Sequence, residues 1–233
     1  MKLTVDSLSL SEAVNKVIKA ISAKKNNPIL ECIKLSARDS LLTLTATDME
    51  LTIEKKVVAD VVIDGDILVP GKFFSDFIRT LNEETLTLEC SNGTNLEVKY
   101  GESYGYIKCL NVDDYPAVGE VNAAYEIKIN NKSMKNLINK TVFCASVEDN
   151  RQVLKGCLFE VEGKKATMVA LDGYRLALCK QDLVFSTEER LSCIIPARSL
   201  YEISKMIVND DDDLTLTFDG DKLRVEIDNT VLI

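Results

Sequence analysis

Hydrophobic side chains recur every three or four residues in four stretches of the chain. These stretches are Ser9–Ser22, Gly71–Leu81, Asn131–Phe143 and Arg198–Ile207. Because residues at this spacing share one face of an α-helix, each stretch predicts an amphipathic helix. Much of the remaining chain alternates hydrophobic and polar residues, as in Leu86-Thr87-Leu88-Glu89 and Leu96-Glu97-Val98-Lys99. This period of two is typical of half-buried strands, and the polar segments Ser91–Thr94 and Asp219–Asp221 predict hairpin turns.

This succession of elements occurs twice. A forward shift of 124 residues places Asp48 on Asp172, and the shift grows to 126 by Pro70, which falls on Pro196. A period of this length is that of a whole domain, whereas short structural repeats recur every 20 to 50 residues or so. The sequence therefore predicts two copies of one domain, and each copy runs β-α-β-β-β twice.

The order of the elements indicates the fold class. Runs of strands joined by short turns favour antiparallel sheets, and two helices per copy pack on one side of them, which is an α+β fold. We expect the two domains to cover residues 1–118 and 119–233. The linker between them is predicted at Asn111–Ala124, which contains Pro116 and Gly119 and has no periodicity.

Composition excludes several classes of protein. No hydrophobic run reaches the length of a membrane span, and the first residues do not form a signal peptide. The seven cysteines are scattered without a C-x-x-C pair, which is typical of reduced core residues in a cytoplasmic protein. Histidine is absent, which removes Ser-His and Cys-His nucleophiles and most zinc sites. We therefore expect no catalytic residue, no cofactor and no metal.

Carboxylates are the remaining candidates for chemistry. Asp48 and Asp172 occupy matching places in the two copies, and a carboxylate-metal enzyme built on either one stays open as an alternative. Turn aspartates are the favoured interpretation. The acidic run Asp210–Asp213 lacks the alternating ligands and the glycine of a calcium-binding loop, so a solvated loop is expected there.

Charge is distributed unevenly along the chain. The net charge is −9, yet the four predicted helices carry nine cations and three anions. The cations are Lys16, Lys19, Lys72, Arg79, Lys132, Lys135, Lys140, Arg198 and Lys205. This pattern indicates a cationic face for a polyanion, and the lack of interleaved aromatic residues favours non-specific phosphate contact. The alternative is a two-domain scaffold that binds no DNA and whose lysines are merely solvated.

Nine segments in both halves match one known family in order and spacing. They are Pro28-Ile29-Leu30, Leu44–Leu51, Val69–Phe74, Asp114-Tyr115-Pro116, Phe143–Ser146, Arg151–Gly156, Leu158-Phe159-Glu160, Ala170–Ala177 and Ile195–Arg198. The most specific is Ala170–Ala177, which contains Asp-Gly-Tyr-Arg-Leu after a strand. On these segments, essentially the whole chain resembles the bacterial DNA polymerase III beta subunit family, the sliding clamps.

The resemblance implies an architecture and a function. Family members form a head-to-tail homodimer, a ring with helices lining the hole, sheets outside and duplex DNA threaded through it. It implies a non-catalytic processivity factor that tethers the polymerase alpha subunit, the clamp loader and other proteins with clamp-binding peptides. The holoenzyme that it serves is a DNA-directed DNA polymerase, a nucleotidyltransferase. Family members have a third domain. Because this sequence stops at Ile233, we expect a second domain incomplete at its end, no third domain and a monomeric fragment.

The resemblance also implies site residues. The family's DNA contacts correspond to Lys24 and Lys72, and the cations Arg79, Arg151, Arg198 and Lys205 are further DNA-binding candidates. The pocket that receives partner peptides corresponds to Leu154, Leu171, Gly173, Tyr174, Arg175 and Leu176. Tyr174 stands where the family often has histidine. The alternative for the pocket leucines is plain core packing.

Overall fold

A computed structural model describes residues 1–22, 27–119, 121, 125–148, 151–220 and 222–233, with the backbone alone for 184–189. Contacts divide the chain into two compact units. Unit 1 comprises Met1–Glu120 together with Asp228–Ile233, and unit 2 comprises Val121–Ile227. Both consist mainly of antiparallel strands with two α-helices each, which confirms the predicted α+β fold. The boundary between residues 118 and 119 stays a prediction, and the contacts of the last six residues group them with unit 1.

All four predicted helices are present, with shifted ends. They are α1 (Ser7–Val17), α2 (Gly71–Arg79), α3 (Asn131–Asn139) and α4 (Ala197–Met206). Equivalent side chains begin α1 and α3, since Asp6 accepts the backbone N–H of Ser9 and Asn130 accepts that of Lys132. The helix α3 ends four residues earlier than predicted, and a separate 3-10 turn, Val142–Cys144, follows it. None of the described helices is long and apolar enough to cross a membrane.

Nine strands belong to unit 1 and five to unit 2 among the described residues. Unit 1 contains β1 (Lys2–Asp6), β2 (Cys32–Arg38), β3 (Leu41–Thr47), β4 (Thr52–Ile63), β5 (Gly65–Pro70), β6 (Thr85–Glu89), β7 (Asn95–Tyr100), β8 (Ser103–Lys108) and β14 (Thr230–Leu232). Unit 2 contains β9 (Tyr125–Asn130), β10 (Gly156–Leu171), β11 (Leu176–Pro196), β12 (Asp213–Asp219) and β13 (Lys222–Ile227).

The long strand β4 joins the two parts of the sheet in unit 1. Its residues 59–63 pair with β1, and its residues 52–58 pair with β3. The strand order is therefore β8-β7-β6-β1-β4-β3-β2-β5, and every pairing is antiparallel. In unit 2, β12 pairs with β9 and β13. Strands β10 and β11 pair over two stretches that a register shift around Gly163 separates, and the second stretch is a hairpin that turns between Leu171 and Leu176.

Strand β14 completes the edge of β4 beside β1. Leu232 pairs with Ile53, and Ile233 exchanges two backbone hydrogen bonds with Thr52, at 2.7 and 2.9 Å. The Lys55 ammonium donates to the carbonyl of Asp228. Strand β14 is thus part of unit 1 although it follows unit 2 in the sequence.

The segment after β8 covers one face of the sheet in unit 1. The backbone N–H of Leu110 donates to the carbonyl of Leu68 at 2.9 Å. Tyr115 is buried against Cys32 and Leu68, and its hydroxyl donates to the carbonyl of Thr45 at 3.3 Å. The segment Leu110–Tyr115 is therefore held by a backbone bond at one end and by an aromatic ring at the other.

All seven cysteines are free thiols, six of them buried. Burial raises the pKa of the Cys32, Cys157 and Cys193 thiols to about 11, from an ordinary value of 9.0. The folded protein keeps these protons at a pH where the unfolded chain has lost them. The stability that they contribute is therefore complete below pH 9 and is lost as the pH rises towards 11.

We expect the urea midpoint of unfolding to fall progressively between pH 9 and pH 11. The variant Cys157→Ala, which removes one of these protons, should show a smaller decline over the same interval than the unmodified chain. Urea titrations monitored by circular dichroism at several pH values measure both. An identical decline in the two proteins would show that the Cys157 thiol does not contribute.

Candidate nucleic-acid interface and peptide pocket

Cations outnumber anions on the α-helices. Within the four helices that the structure describes there are seven cations and three anions. The cations are Lys16, Lys72, Arg79, Lys132, Lys135, Arg198 and Lys205. Two of the nine predicted helical cations lie just outside the α-helices, since Lys19 is in a 3-10 turn and Lys140 follows α3. The excess of positive charge on the helices therefore remains.

The helix α2 presents its two candidate cations on its exposed side. Its buried face includes Phe74 and Ile78, while Lys72 and Arg79 are exposed. The Arg79 guanidinium lies 3.1 Å from the carboxylate of Asp76 one turn earlier. Lys72 makes no ion pair with any residue that the structure describes. The ammonium of Lys72 is accordingly available to an external anion.

The candidate cations of unit 2 are also exposed. Arg198 lies in the first turn of α4, and Lys205 in its last turn lies 2.9 Å from the carboxylate of Glu202. Arg151 is exposed directly before a short 3-10 turn, Gln152–Lys155. Lys24, which the family resemblance implies as a DNA contact, lies outside the described residues.

The acidic run Asp210–Asp213, which follows α4, contacts the first half of α3. The carbonyls of Asp210 and Asp212 accept the backbone N–H groups of Lys132 and Asn131, at 3.2 and 2.8 Å. The Lys135 ammonium lies 2.6 Å from the Asp210 carboxylate. No group of three or more acidic or cysteine side chains that could hold a metal ion occurs among the described residues.

Asp172 organises the turn between β10 and β11. Its Oδ1 accepts the backbone N–H groups of Tyr174 and Arg175, both at 3.0 Å. Its Oδ2 accepts the Arg175 Nε at 2.9 Å, and the Arg175 Nη2 donates to the carbonyl of Phe143 at 3.0 Å. These hydrogen bonds, above all that from the Tyr174 N–H, hold the pKa of the Asp172 carboxyl below its usual value. Gly173, at φ +96°, takes the left-handed conformation that the turn requires.

Asp48 makes the corresponding turn in unit 1. Its Oδ1 accepts the backbone N–H groups of Glu50 and Leu51, at 3.1 and 2.9 Å. Met49 stands where unit 2 has Gly173, and it too has a positive φ, +78°. Both aspartates thus bond the backbone of their own turns, each in a different unit.

The predicted pocket residues gather around the turn of the β10–β11 hairpin. Leu171 and Leu176 face each other across the strands, and Leu176 is 62% exposed. Leu154 is half-buried, and its carbonyl accepts the N–H of Ser146 at 2.7 Å. Tyr174 is 98% exposed. The core-packing alternative is therefore wrong for Leu176, because its side chain points away from the face that Cys179 buries.

Sequence reasoning did not identify Phe143 as part of this site. Its carbonyl accepts a hydrogen bond from the Arg175 guanidinium, and its exposed ring belongs to the 3-10 turn Val142–Cys144. A backbone carbonyl carries no sequence signal. The exposed hydrophobic residues Phe143, Val147 and Val153 on this segment could have served as a hint.

Two family models match nearly the whole chain. The model described as the DNA polymerase III beta subunit, N-terminal domain, matches residues 1–119. The model of the central domain of the same subunit matches residues 128–233.

Known proteins with similar sequence and structure agree with these matches. The chain is 31% identical over 215 residues to the beta sliding clamp of Bacillus subtilis, and the match covers 89% of this chain and 57% of that protein. It is 29% identical over 237 residues to the beta sliding clamp of Staphylococcus epidermidis, and the match covers 98% of this chain and 63% of that protein. A crystal structure of a DNA polymerase III beta subunit from Eubacterium rectale superposes with a TM-score of 0.95 at 28% identity, covering 100% of this chain and 64% of that one.

The sliding clamp of Bacillus subtilis superposes with a TM-score of 0.94 at 28% identity, covering 100% of this chain and 63% of that one. The chain thus spans about 57–64% of the length of these relatives. The relatives also have the tandem α+β domains that the structure shows. The matches to both family models show that the chain belongs to the DNA polymerase III beta subunit family.

Proposed function

We propose that the chain forms part of a sliding clamp, a non-catalytic processivity factor that encircles duplex DNA and tethers the replicative polymerase. The observation that carries this proposal is the excess of cations on the four helices taken together, seven against three anions, in a chain whose net charge is −9. Such a helix surface attracts a polyanion that the rest of the chain repels. The names of the relatives, sliding clamps and DNA polymerase III beta subunits, support the same function.

The contacts we propose are to phosphates and not to bases. Lys72 is unpaired among the described residues, whereas Arg79 and Lys205 each lie within 3.1 Å of a carboxylate on their own helix. The Arg79–Asp76 pair is exposed on both sides, and such a pair contributes at most about 1 kcal/mol, so Arg79 can exchange its partner for a phosphate. The partner of Lys205 is the buried Glu202, so Lys205 is held more firmly. Dispersed cations on separate helices favour weak binding without sequence preference.

We also propose that the full-length protein is a head-to-tail homodimer and that β8 supplies one side of the interface. Strand β8 pairs with β7 alone among the strands that the structure describes, so it has an open edge. Phe77 lies under it against Gly105 and edge-on to Tyr100, while Tyr104 and Tyr106 stack edge-on to each other on its exposed side. Aromatic side chains around an open strand edge are typical of an interface. For residues 1–233 alone we propose a monomer, which light scattering tests.

The peptide pocket at the β10–β11 turn is proposed to receive the polymerase alpha subunit, the clamp loader and other partners with clamp-binding peptides. The exposed Leu176 and the half-buried Leu154 and Leu171 offer an apolar surface. Tyr174 and Arg175 border that surface on the same turn. An apolar surface with a few fixed polar groups is typical of a peptide-binding site.

Binding of a fluorescent DNA duplex measured by anisotropy at several salt concentrations tests the clamp proposal. We expect weak binding that falls linearly on a log–log plot against salt, because phosphate contacts release counterions. The variant Lys72→Glu should weaken binding and reduce the slope by about 0.9, the value for one phosphate contact.

The matched control is Lys56→Glu, which makes the same change of charge at an exposed lysine of β4, on the strand face opposite the one that buries Ile53 and Val57. It should leave the slope nearly unchanged. Equal effects of the two variants would contradict a DNA-facing role for the helices. Absence of any binding at low salt would favour the two-domain scaffold that binds no DNA.

A further inference from the structure

A lysine of the sheet in unit 1 lies on the face against which the helices pack. Lys55 stands between Ile53 and Val57 in the alternation of β4, so the three side chains share one face of the strand. Ile53 and Val57 are buried there, and α1 packs against β4. The Lys55 ammonium is therefore on the helix side of the sheet, although a count of the cations on the helices does not include it.

This position is unusual for a charged side chain. At the offset of 124 residues it corresponds to Cys179 of unit 2, which is buried. Taking an ammonium partly out of water costs desolvation energy, and such a group is normally paired with a carboxylate. The half-buried Lys55 instead donates to the backbone carbonyl of Asp228, and it makes no ion pair within the described ranges of the chain.

A second lysine approaches Lys55 from α1. Lys16 lies half-buried in the last turn of that helix, and it too makes no ion pair with a described residue. Burial, and after it the charge of Lys16, lowers the pKa of the Lys55 ammonium, whereas the carboxylates of Asp228 and Glu12 act in the opposite direction. Two ammonium groups thus repel each other between α1 and β4, and neither is in contact with a described carboxylate.

We propose that Lys16 and Lys55 together bind one backbone phosphate of duplex DNA. This inference rests on the proposed clamp function and adds a residue of the sheet to the cations of the helices. A phosphate supplies the negative charge that opposes the repulsion between the two ammonium groups. The carbonyl of Asp228 already holds the Lys55 ammonium in place, so less side-chain freedom is lost on binding. Contacts to phosphate position the duplex without reading its bases.

The salt dependence of duplex binding, measured by anisotropy, counts the phosphates that the protein neutralises. If two lysines share one phosphate, Lys16→Gln and Lys55→Gln should each change the slope by clearly less than about 0.9, because the other lysine keeps the contact. The double variant loses the contact, so its slope should fall by about 0.9. Lys55→Arg, which keeps the charge, should leave the slope unchanged.

The matched control is a second double variant, Lys16→Gln with Lys56→Gln. Lys56 is the next residue of β4, and its exposed side chain lies on the opposite face of the strand. This control removes the same number of charges, but it leaves Lys55 in place. Its slope should therefore equal that of Lys16→Gln alone. Circular dichroism of each variant should match that of the unmodified chain.

A second measurement observes the Lys55 ammonium directly and needs no variant to fold. The pKa of Lys55, obtained by NMR from the shift of its Cε against pH, should rise when the duplex is added at low salt. The reason is that an anion in contact favours the charged form of the amine. Without DNA, the pKa of Lys55 should also be higher in Lys16→Gln than in the unmodified chain, since a repelling charge is removed.

Three results would overturn the shared site. One is a slope for the double variant of Lys16 and Lys55 that equals the slope of the control. Another is a loss of about 0.9 in each single variant, which would indicate two separate phosphates. The third is a pKa of Lys55 that does not respond to the duplex. If Lys72→Glu still lowers the slope in these cases, the clamp proposal stands without this site, so the two failures are distinguishable.

Discussion

Asp172→Ala is expected to weaken binding of a clamp-binding peptide from the polymerase alpha subunit by at least about tenfold. The side chain accepts two backbone N–H groups and the Arg175 guanidinium, so its removal releases the turn that presents Leu176. A surface that must be ordered on binding loses the advantage of preorganisation. The change is local, because the turn is exposed and contributes no side chain to the core.

Asp48→Ala is the matched control, since it releases the corresponding turn of unit 1. It should leave peptide affinity, measured by anisotropy with the labelled peptide, unchanged. Equal losses in the two variants would show that the β10–β11 turn is not the peptide site.

Two neighbouring substitutions refine the same test. Arg175→Ala should have an intermediate effect, because Asp172 still bonds the backbone while the link to the Phe143 carbonyl is lost. Leu176→Ala should reduce affinity at little cost to folding, since the 62% exposed side chain creates no cavity when it is shortened. A buried leucine would have cost about 2–5 kcal/mol of stability. Unchanged affinity in both variants would contradict the placement of the pocket.

Tyr115→Ala should lower the free energy of unfolding by about 3–5 kcal/mol, the usual cost of removing a large buried aromatic ring. The ring is buried between Cys32 and Leu68, and its loss leaves a cavity under the segment that begins at Leu110. Tyr115→Phe keeps the ring and loses the hydrogen bond to Thr45, so it should cost only about 1 kcal/mol. Urea unfolding, combined with amide hydrogen exchange in β2 and β5, measures both.

Tyr174→Ala is the control for this comparison. Its side chain is 98% exposed, so the change should stay within about 0.5 kcal/mol. If Tyr115→Ala were as stable as Tyr174→Ala, the ring would not hold the segment to the sheet.

Local periodicity was sufficient to predict the helices, because burial of one helix face leaves a pattern in a short stretch of sequence. Their ends depend on single contacts. The helix α3 was predicted to reach Phe143, but Thr141 is buried and its hydroxyl donates to the carbonyl of Leu137, which closes the helix earlier. A hydrogen bond from a side chain to the preceding turn competes with the backbone hydrogen bonds that would extend the helix. The spacing of hydrophobic residues gives no sign of such a bond.

The pattern of hydrophobic and polar residues could not predict which strands pair when they lie far apart in the sequence. Nothing in the sequence of Thr230–Leu232 specifies β4 as the partner of this strand. The same limit applies to Leu176, because alternation shows that a strand has two faces and not which of them is covered. Arg175 donates a hydrogen bond to the backbone carbonyl of Phe143. Because every residue has such a carbonyl, the sequence does not reveal this bond.

The excess of cations on the helices could be found from the sequence alone, because it needs only a count of charged residues within the predicted helices. The structure adds which of these cations pair with a carboxylate. Arg79 and Lys205 have intrahelical partners, whereas Lys72 has none among the described residues.

The position of β14 in the sequence means that unit 1 is completed only late in synthesis. Residues 228–233 belong to unit 1 but are translated after the whole of unit 2. At about 5–20 residues per second, a nascent chain waits on the order of ten seconds between finishing Glu120 and supplying the strand that pairs with Ile53. During that interval part of the edge of β4 lacks its partner on the ribosome, and an unpaired strand edge is a template for other chains. Identical nascent chains on neighbouring ribosomes carry the same unpaired edge during this interval, so each can pair with the other.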